Sequence, residues 1–251
     1  MGYFVVRYTL SMQNSYALFL GVGAALGLWR VAQAADPDQA LRRVDGALWV
    51  LVGALAGARL GFVFSHSAYF QAHPAEIFML PAGGLSLPGA LLVGLGAGLW
   101  TARRSRWALR PWLDDLARLA FPLAAAALLG AWLHGAGAGT AVGWGLPAPD
   151  ELGVTARRVP AQLLAALLLG LVTAAGERWV RPGARAAWTA LALGLSLMLA
   201  EVLRAQPGWS WLGLTLDSWT AVVLILTGGL GTLVLVHRKL NPSEWEGGPQ
   251  T

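Results

Sequence analysis

The chain has 251 residues, of which 56% are hydrophobic and only 12% are charged, and its formal net charge is +5. Soluble domains carry about 25% charged residues, so this chain lacks the polar surface that a water-soluble globule of its size needs. The composition excludes a soluble enzyme, a nucleic-acid-binding domain and a disordered chain, and it indicates a polytopic membrane protein. The absence of cysteine also excludes disulfides and thiolate catalysis.

The fold class predicted from the apolar stretches is all-α: an integral membrane protein with about seven transmembrane helices, each needing about 20 mostly apolar residues. The stretches occupy most of the chain, and no linker or fixed-period repeat separates them. Residues 1–251 are therefore predicted to form a single transmembrane domain. The predicted spans are, in chain order, Asn14–Ala34, Gly46–Phe64, Gly84–Ala102, Leu116–His134, Pro160–Val180, Ala186–Leu203 and Leu216–Val236.

The basic residues predict the orientation, because short cytoplasmic loops are enriched in Lys and Arg. Most of them fall in alternate loops: Arg42 and Arg43, Arg103 to Arg118, Arg178 to Arg185, and Arg238 with Lys239. This alternation places the N-terminus outside and the C-terminus in the cytoplasm.

The first apolar stretch has an alternative interpretation. It ends in Ala32-Gln33-Ala34, which resembles a signal-peptide cleavage site. Because Trp29 and Arg30 stand where small neutral residues are preferred, an uncleaved first helix is the favoured interpretation.

Three glycines predict a close helix–helix contact. Gly53, Gly57 and Gly61 recur every four residues along the second span. They share one helix face and would let a neighbouring backbone approach closely.

Side chains near the span ends are predicted to have supporting roles. Asp114 and Asp115 lie in an arginine-rich loop and are interpreted as charge balancers. Tryptophans at the membrane surface commonly anchor a protein there, and this role is predicted for Trp107, Trp112, Trp209 and Trp211.

Ionisable residues at membrane depth are expensive and mark candidate functional sites. Arg59 lies within the second span, where it either extends toward the membrane surface or binds a lipid headgroup. Glu201 and Arg204 are three residues apart on one helix face. They form either a structural ion pair or a unit in which Glu201 positions Arg204 for a lipid phosphate, which a guanidinium can hold bidentately.

Other polar residues lie near span ends. His134 precedes the Gly135–Gly139 run and is either solvated or a catalytic base. Asn14, Tyr16 and Gln162 serve either as polar contacts between helices or as ligand contacts. The sequence contains no metal or cofactor motif, and we expect neither group.

Several short motifs follow one another in a fixed order. They include Tyr16-Ala17-Leu18, Gly57-Ala58-Arg59-Leu60-Gly61, His73-Pro74-Ala75-Glu76, Gly83-Gly84-Leu85-Ser86, Arg158-Val159-Pro160-Ala161-Gln162-Leu163 and Glu201-Val202-Leu203-Arg204. Together, over roughly Tyr16 to Val236, they resemble the prolipoprotein diacylglyceryl transferase family. The ordered set is specific, although any single motif is weak.

The resemblance implies a function. Members of this family transfer a diacylglyceryl group from phosphatidylglycerol to the thiol of a lipobox cysteine and release glycerol phosphate. The resemblance also implies a multi-pass protein of the bacterial cytoplasmic (inner) membrane. This protein is expected to bind a phosphatidylglycerol-like phospholipid and a lipoprotein precursor or membrane-protein partner, but no nucleic acid. Headgroup binding is assigned to Tyr16, Arg59, Gln162, Glu201 and Arg204. The catalytic residue stays unassigned, with His134 as the candidate.

Four positions depart from the family's pattern. Pro88 and Val159 replace histidines, Leu197 replaces an arginine, and a leucine of the Leu128-Leu129 pair replaces another arginine. Two hypotheses follow: a divergent diacylglyceryl transferase acting on the outer leaflet, or a non-catalytic membrane subunit that binds lipid or a partner.

Overall fold

The computed structural model describes residues 2–79, 84–205 and 210–240, with side chains from 16–79, 84–205 and 210–235. Gly83, in one of the motifs, and Trp209, among the tryptophans considered as anchors, lie outside these residues. The helices are α1 (Gly2–Ala34), α2 (Pro37–Ser65), α3 (Ser67–Ala72), a short 3-10 helix (Pro74–Phe78), α4 (Leu87–Ser105), α5 (Leu109–His134), α6 (Ala161–Trp179), α7 (Arg185–Val202) and α8 (Leu216–Leu240).

Most of the predicted spans coincide with helices that extend past the apolar stretch. Within the described residues, α1, α2, α5, α6, α7 and α8 are long and apolar enough to cross a membrane. The third predicted span corresponds to α4, a 19-residue helix whose last turn carries Arg103 and Arg104. The protein is a mostly helical integral membrane protein, and large apolar side chains such as Leu92 and Leu233 are exposed on the outer faces of its helices.

Two small antiparallel sheets accompany the helices and were not predicted. Strands β1 (Ala141–Pro149) and β2 (Thr155–Arg158) form a hairpin between α5 and α6. Strands β3 (Ser210–Trp211) and β4 (Leu214–Thr215) form a shorter one before α8. The first hairpin escapes detection because glycine and proline interrupt the alternation that identifies a strand.

The glycine face predicted on α2 packs against α4. A Cβ on Gly57 would lie 2.4 Å from the carbonyl oxygen of Gly89, and a Cβ on Gly53 would lie 2.9 Å from Cβ of Ala97. Gly61 is similarly close to Ser86. The predicted close approach of a neighbouring backbone is confirmed.

The arginine-rich ends of α1, α2, α4 and α5 enclose the main buried cluster. Trp112 has no exposed surface, and its indole N–H donates to the carbonyl of Gly98 at 2.8 Å. The prediction that Trp112 anchors the membrane surface is therefore wrong, because this ring fills the core. Trp211, by contrast, is 59% exposed.

Asp114 and Asp115 do more than balance charge. Asp115 pairs with Arg43 and Arg118 at 2.9 and 2.7 Å. Asp114 accepts hydrogen bonds from the backbone N–H groups of Gly183 and Ala186, and so satisfies donors at the start of α7 that have no partner within the helix.

Candidate functional site

Arg59 organises the segment that follows α3. Its side chain is 7% exposed. Its Nε donates to the carbonyl of Ile77 at 2.8 Å, Nη1 to that of Gly84 at 3.2 Å, and Nη2 to those of Glu76 and Met79. These bonds give the guanidinium a structural role that neither alternative from the sequence included, because its donors are directed at backbone carbonyls.

Aromatic and polar contacts support the same segment. The Arg59 guanidinium lies 5.3 Å from the ring centroid of Phe70. The hydroxyl of Tyr69 donates to the carboxylate of Glu76 at 2.7 Å, and this hydrogen bond raises the pKa of Tyr69. Arg59 therefore belongs to a unit built from α2, α3 and the 3-10 helix.

A second polar group forms around the glycine-rich segment after α5. Gly135 and Gly137 have φ angles of 78° and 64°, a left-handed conformation that glycine adopts without strain. A Cβ on Gly135 would lie 2.6 Å from the carbonyl oxygen of Asp150, and one on Gly139 would lie 2.2 Å from that of Val159. The glycines let the segment pass close to the β1–β2 hairpin.

Gln162 and Arg204 meet at Gly137. A Cβ on Gly137 would lie 3.3 Å from Nε2 of Gln162 and 3.6 Å from Nε of Arg204. The Gln162 amide donates to the carbonyls of Ala136 and Gly137, while its oxygen is buried without a hydrogen-bond partner among the described residues. The structure thus brings together two predicted site residues that are far apart in the sequence.

The predicted Glu201–Arg204 pair forms, with an N–O distance of 3.2 Å. The second carboxylate oxygen of Glu201 accepts from the hydroxyl of Thr215 at 2.8 Å. A backbone bridge between Gly139 and Arg204 connects the end of α7 to the glycine-rich segment. The Glu201 carboxylate is thereby held by Thr215 of β4, directly before α8, as well as by Arg204.

Glu151, which the sequence analysis missed, completes this group. Its Oε1 accepts from Nη2 of Arg204 at 3.3 Å and from the backbone N–H of Gly137 at 3.2 Å. The Glu151 side chain is 61% exposed. A carboxylate oxygen thus occupies a position between a guanidinium and a backbone N–H, which is a combination of donors suited to a phosphate oxygen.

The hairpin turn that carries Glu151 is held by its neighbour Asp150. The Asp150 carboxylate accepts from the backbone N–H groups of Val154 and Leu152 and pairs with Arg158 at 2.8 Å. The bond from Val154 is the main cause that lowers the pKa of Asp150, and Leu152 and Arg158 add to it. The carboxylate therefore stays ionised at neutral pH, and the turn loses this support only as pH falls through that lowered pKa.

Tyr16 and His134 lie beside each other. Their ring centroids are 6.2 Å apart, and the Tyr16 ring packs on Gly130. Nδ1 of His134 is buried without a hydrogen-bond partner among the described residues. The third polar residue near a span end, Asn14, lies in the part of α1 whose side chains are outside the described set.

The predicted site residues thus fall into two groups and one adjacent pair. Gln162 and Arg204 meet at Gly137 and Glu201 pairs with Arg204. Tyr16 lies beside His134 at the start of the same segment, and Arg59 serves the unit after α3. The sequence signal that could have indicated Glu151 is the turn pattern Asp150-Glu151-Leu152-Gly153.

These features define the class: an integral membrane protein with a partly buried guanidinium–carboxylate–amide group at one end of its helices. The chain belongs to the prolipoprotein diacylglyceryl transferase family, whose sequence profile matches residues 6–234.

Curated relatives are similar in sequence to this protein over most of its length. A Rhodospirillum rubrum protein named phosphatidylglycerol–prolipoprotein diacylglyceryl transferase is 31% identical over 99% of this chain and 94% of its own. Proteins of the same name from Geobacter sulfurreducens and Bordetella parapertussis are 32% and 30% identical, covering 76% and 85% of this chain and 77% and 86% of their own.

Proposed function

We propose that this protein is a diacylglyceryl transferase of the bacterial cytoplasmic membrane that uses a phosphatidylglycerol-like lipid and a lipoprotein precursor. The observation that carries the proposal is the convergence of Gln162 and Arg204 on Gly137, with Glu201 paired to Arg204. Gln162 lies in the first turn of α6, Glu201 in the last turn of α7, and Arg204 just after the end of α7. The N-terminus outside and the C-terminus inside would place this group at the outer leaflet.

The reaction assigns a task to each residue. The thiol sulfur of the precursor cysteine forms a bond to a glyceryl carbon of the lipid, the bond from that carbon to the phosphate oxygen breaks, and glycerol phosphate leaves with the bonding electrons. Arg204 would bind the phosphate and stabilise its charge as it leaves. Glu201 would hold Arg204 in place, and the unpartnered Nδ1 of His134 would accept the thiol proton.

Tyr16, Gln162 and Arg59 would complete the lipid site. Tyr16 lies beside His134, and Gln162 fixes the backbone of the glycine-rich segment at Ala136 and Gly137. Arg59 would act indirectly, by shaping the segment after α3.

A second candidate is a non-catalytic subunit that binds lipid or a partner membrane protein. Two observations favour it: Arg204 already has two carboxylates as partners, and leucine at position 128 or 129 offers no charge where the family pattern has an arginine.

Growth of a bacterial strain depleted of its own diacylglyceryl transferase distinguishes the two. We expect the wild-type chain to restore growth and Arg204→Gln to abolish rescue, because a lost charged contact to phosphate costs about 1.5–3 kcal/mol, or about tenfold to a hundredfold in rate. Arg157→Gln is the control, since this exposed arginine contacts only the carbonyl of Gly143 among the described residues. Failure of the wild-type chain to rescue at normal membrane abundance would favour the non-catalytic subunit.

Glu151 is expected to compete with the lipid phosphate for Arg204. Glu151→Gln should tighten binding to phosphatidylglycerol vesicles by about fivefold, which corresponds to about 1 kcal/mol for an exposed ion pair. Asp38→Asn, at the start of α2, gives the same change of net charge and should leave binding unchanged. Equal effects of the two variants on binding would show that net charge, and no direct competition, is responsible.

A further inference from the structure

A cavity of about 220 Å³ lies at the arginine-rich ends of α1, α5, α6 and α7. It is separate from the Arg204 group. Glu177 lines it near the end of α6, whereas Gln162 is at the start of that helix, and the rise of an α-helix places the two about 20 Å apart. Its polar lining consists of Arg30, Asp114, Arg118, Thr173, Glu177 and Arg185, with Thr189.

The acidic side chains of this lining already have partners. Asp114 accepts from two backbone N–H groups at the start of α7. Glu177 forms an ion pair with Arg30. These carboxylates are therefore poorly placed to attract a cation, and three guanidinium groups border the same space.

Two buried donors in the lining have no hydrogen-bond partner among the described residues. They are the hydroxyl of Thr173, whose side chain belongs to a residue only 8% exposed, and Nε of Arg185. A polar group buried without a partner costs free energy, and the cost is larger for a charged group. A ligand that accepts hydrogen bonds from both donors would remove this cost.

We infer that this cavity binds a phosphate oxyanion, carried by an anionic phospholipid or by free phosphate. The phosphate oxygens would accept from Arg185 and Thr173. Arg30 and Arg118 border the same space and are already paired with Glu177 and Asp115, so Arg185 would supply the main charge. The side chains of Phe121, Val180 and Trp188 line the same cavity and suit the acyl chains next to a lipid phosphate. By the predicted orientation, this lipid belongs to the cytoplasmic leaflet, opposite the leaflet of the proposed reaction.

Binding to purified full-length protein in neutral detergent tests the inference. The probes are phosphatidylglycerol, zwitterionic phosphatidylcholine and inorganic phosphate, and lipid retention is read by native mass spectrometry and phosphate binding by the thermal shift. Arg185→Gln and Thr173→Val are expected to weaken binding, the first by about tenfold. Arg181→Gln is the matched control, because this exposed arginine is near Arg185 but outside the cavity.

The outcomes separate the sources and the sites. If Arg185→Gln no longer retains phosphatidylglycerol while Arg181→Gln does, the cavity is a lipid site. If inorganic phosphate raises the thermal midpoint of Arg181→Gln but not of Arg185→Gln, the cavity is a free-phosphate site. Arg185→Lys keeps the charge but lacks Nε–H, so partial binding by this variant identifies the missing donor even if Arg185→Gln folds poorly. Equal binding by the Arg185, Thr173 and Arg181 variants overturns the inference. Arg204→Gln, measured alongside, reports separately on the proposed reaction site.

Discussion

Replacing Arg59 with alanine is expected to release the 3-10 helix Pro74–Phe78 while α2 stays helical. Among the residues that the structure describes, Arg59 donates to the carbonyls of Glu76, Ile77, Met79 and Gly84. In the alanine variant these carbonyls lose their hydrogen bonds to a charged donor, each worth about 1.5–3 kcal/mol. We therefore expect the free energy of unfolding to fall by at least about 3 kcal/mol. Arg59→Lys should be nearly as damaging, because an ammonium cannot reproduce the flat fork of a guanidinium.

Hydrogen exchange at the backbone amides of residues 75–79 checks this prediction directly. Exchange should be much faster in both Arg59 variants, and the thermal midpoint in detergent should fall. Arg157→Ala is the control for removing an arginine, since its side chain is exposed and donates to one carbonyl. Unchanged exchange combined with lost lipid binding would instead give Arg59 the headgroup role that the sequence alone left open.

Such a result bears on how the family motif around Arg59 is understood. The sequence shows an arginine at membrane depth, and both interpretations drawn from it assumed that the charge serves water or lipid. The structure gives Arg59 a third role, which is to hold a backbone segment in place. Its carbonyl acceptors belong to residues 17 to 25 positions later in the chain, which fold back against α2. Such non-local partners leave no periodic signal in the sequence.

The helices and the glycine contact between α2 and α4 were predictable, since both depend on local patterns. Long apolar runs must satisfy their backbone groups within the segment when they enter a membrane, so they form helices. The spacing of Gly53, Gly57 and Gly61 gives one smooth face. The points where helices begin are harder to predict. Helix α5 begins at Leu109, seven residues before the predicted span, because Asp114 and Asp115 form hydrogen bonds and ion pairs inside the protein.

The site was predictable only in part, for a similar reason. Glu201 and Arg204 are helix neighbours, and their pair follows from spacing. Their association with Gln162 and Glu151 depends on how α6, α7 and the β1–β2 hairpin pack, which no spacing encodes. Glu151 in particular looks like an ordinary acidic turn residue until the fold places it against Arg204.

The close backbone approach between α2 and α4 leads to the second large prediction. Gly57→Val is expected to destabilise the protein by about 3 kcal/mol, at the upper end of the range for overpacking. Even the Cβ of alanine would lie 2.4 Å from the carbonyl oxygen of Gly89 and 2.5 Å from Cβ of Val93, so Gly57→Ala should cost part of the same amount. Backbone atoms cannot rotate away, and α4 must therefore shift.

A shift of α4 would also disturb the Arg59 unit. The backbone N–H of Ser86 donates to the carbonyl of Ala58 at 2.9 Å, and Gly84 is a partner of Arg59. We therefore expect Gly57→Val to increase hydrogen exchange at residues 75–79 as well as to lower the thermal midpoint.

Gly96→Ala, on α4 itself, is the matched control for this prediction. A Cβ at Gly96 would meet no neighbouring helix or side chain within 4 Å in the part of the chain that the structure describes, so this variant should be neutral or slightly stabilising through the higher helix propensity of alanine. Equal thermal midpoints for Gly57→Ala and Gly96→Ala would contradict the close packing of α2 against α4. A lower midpoint for Gly57→Ala alone would show that the small face of α2 holds both the helix pair and the segment that Arg59 organises.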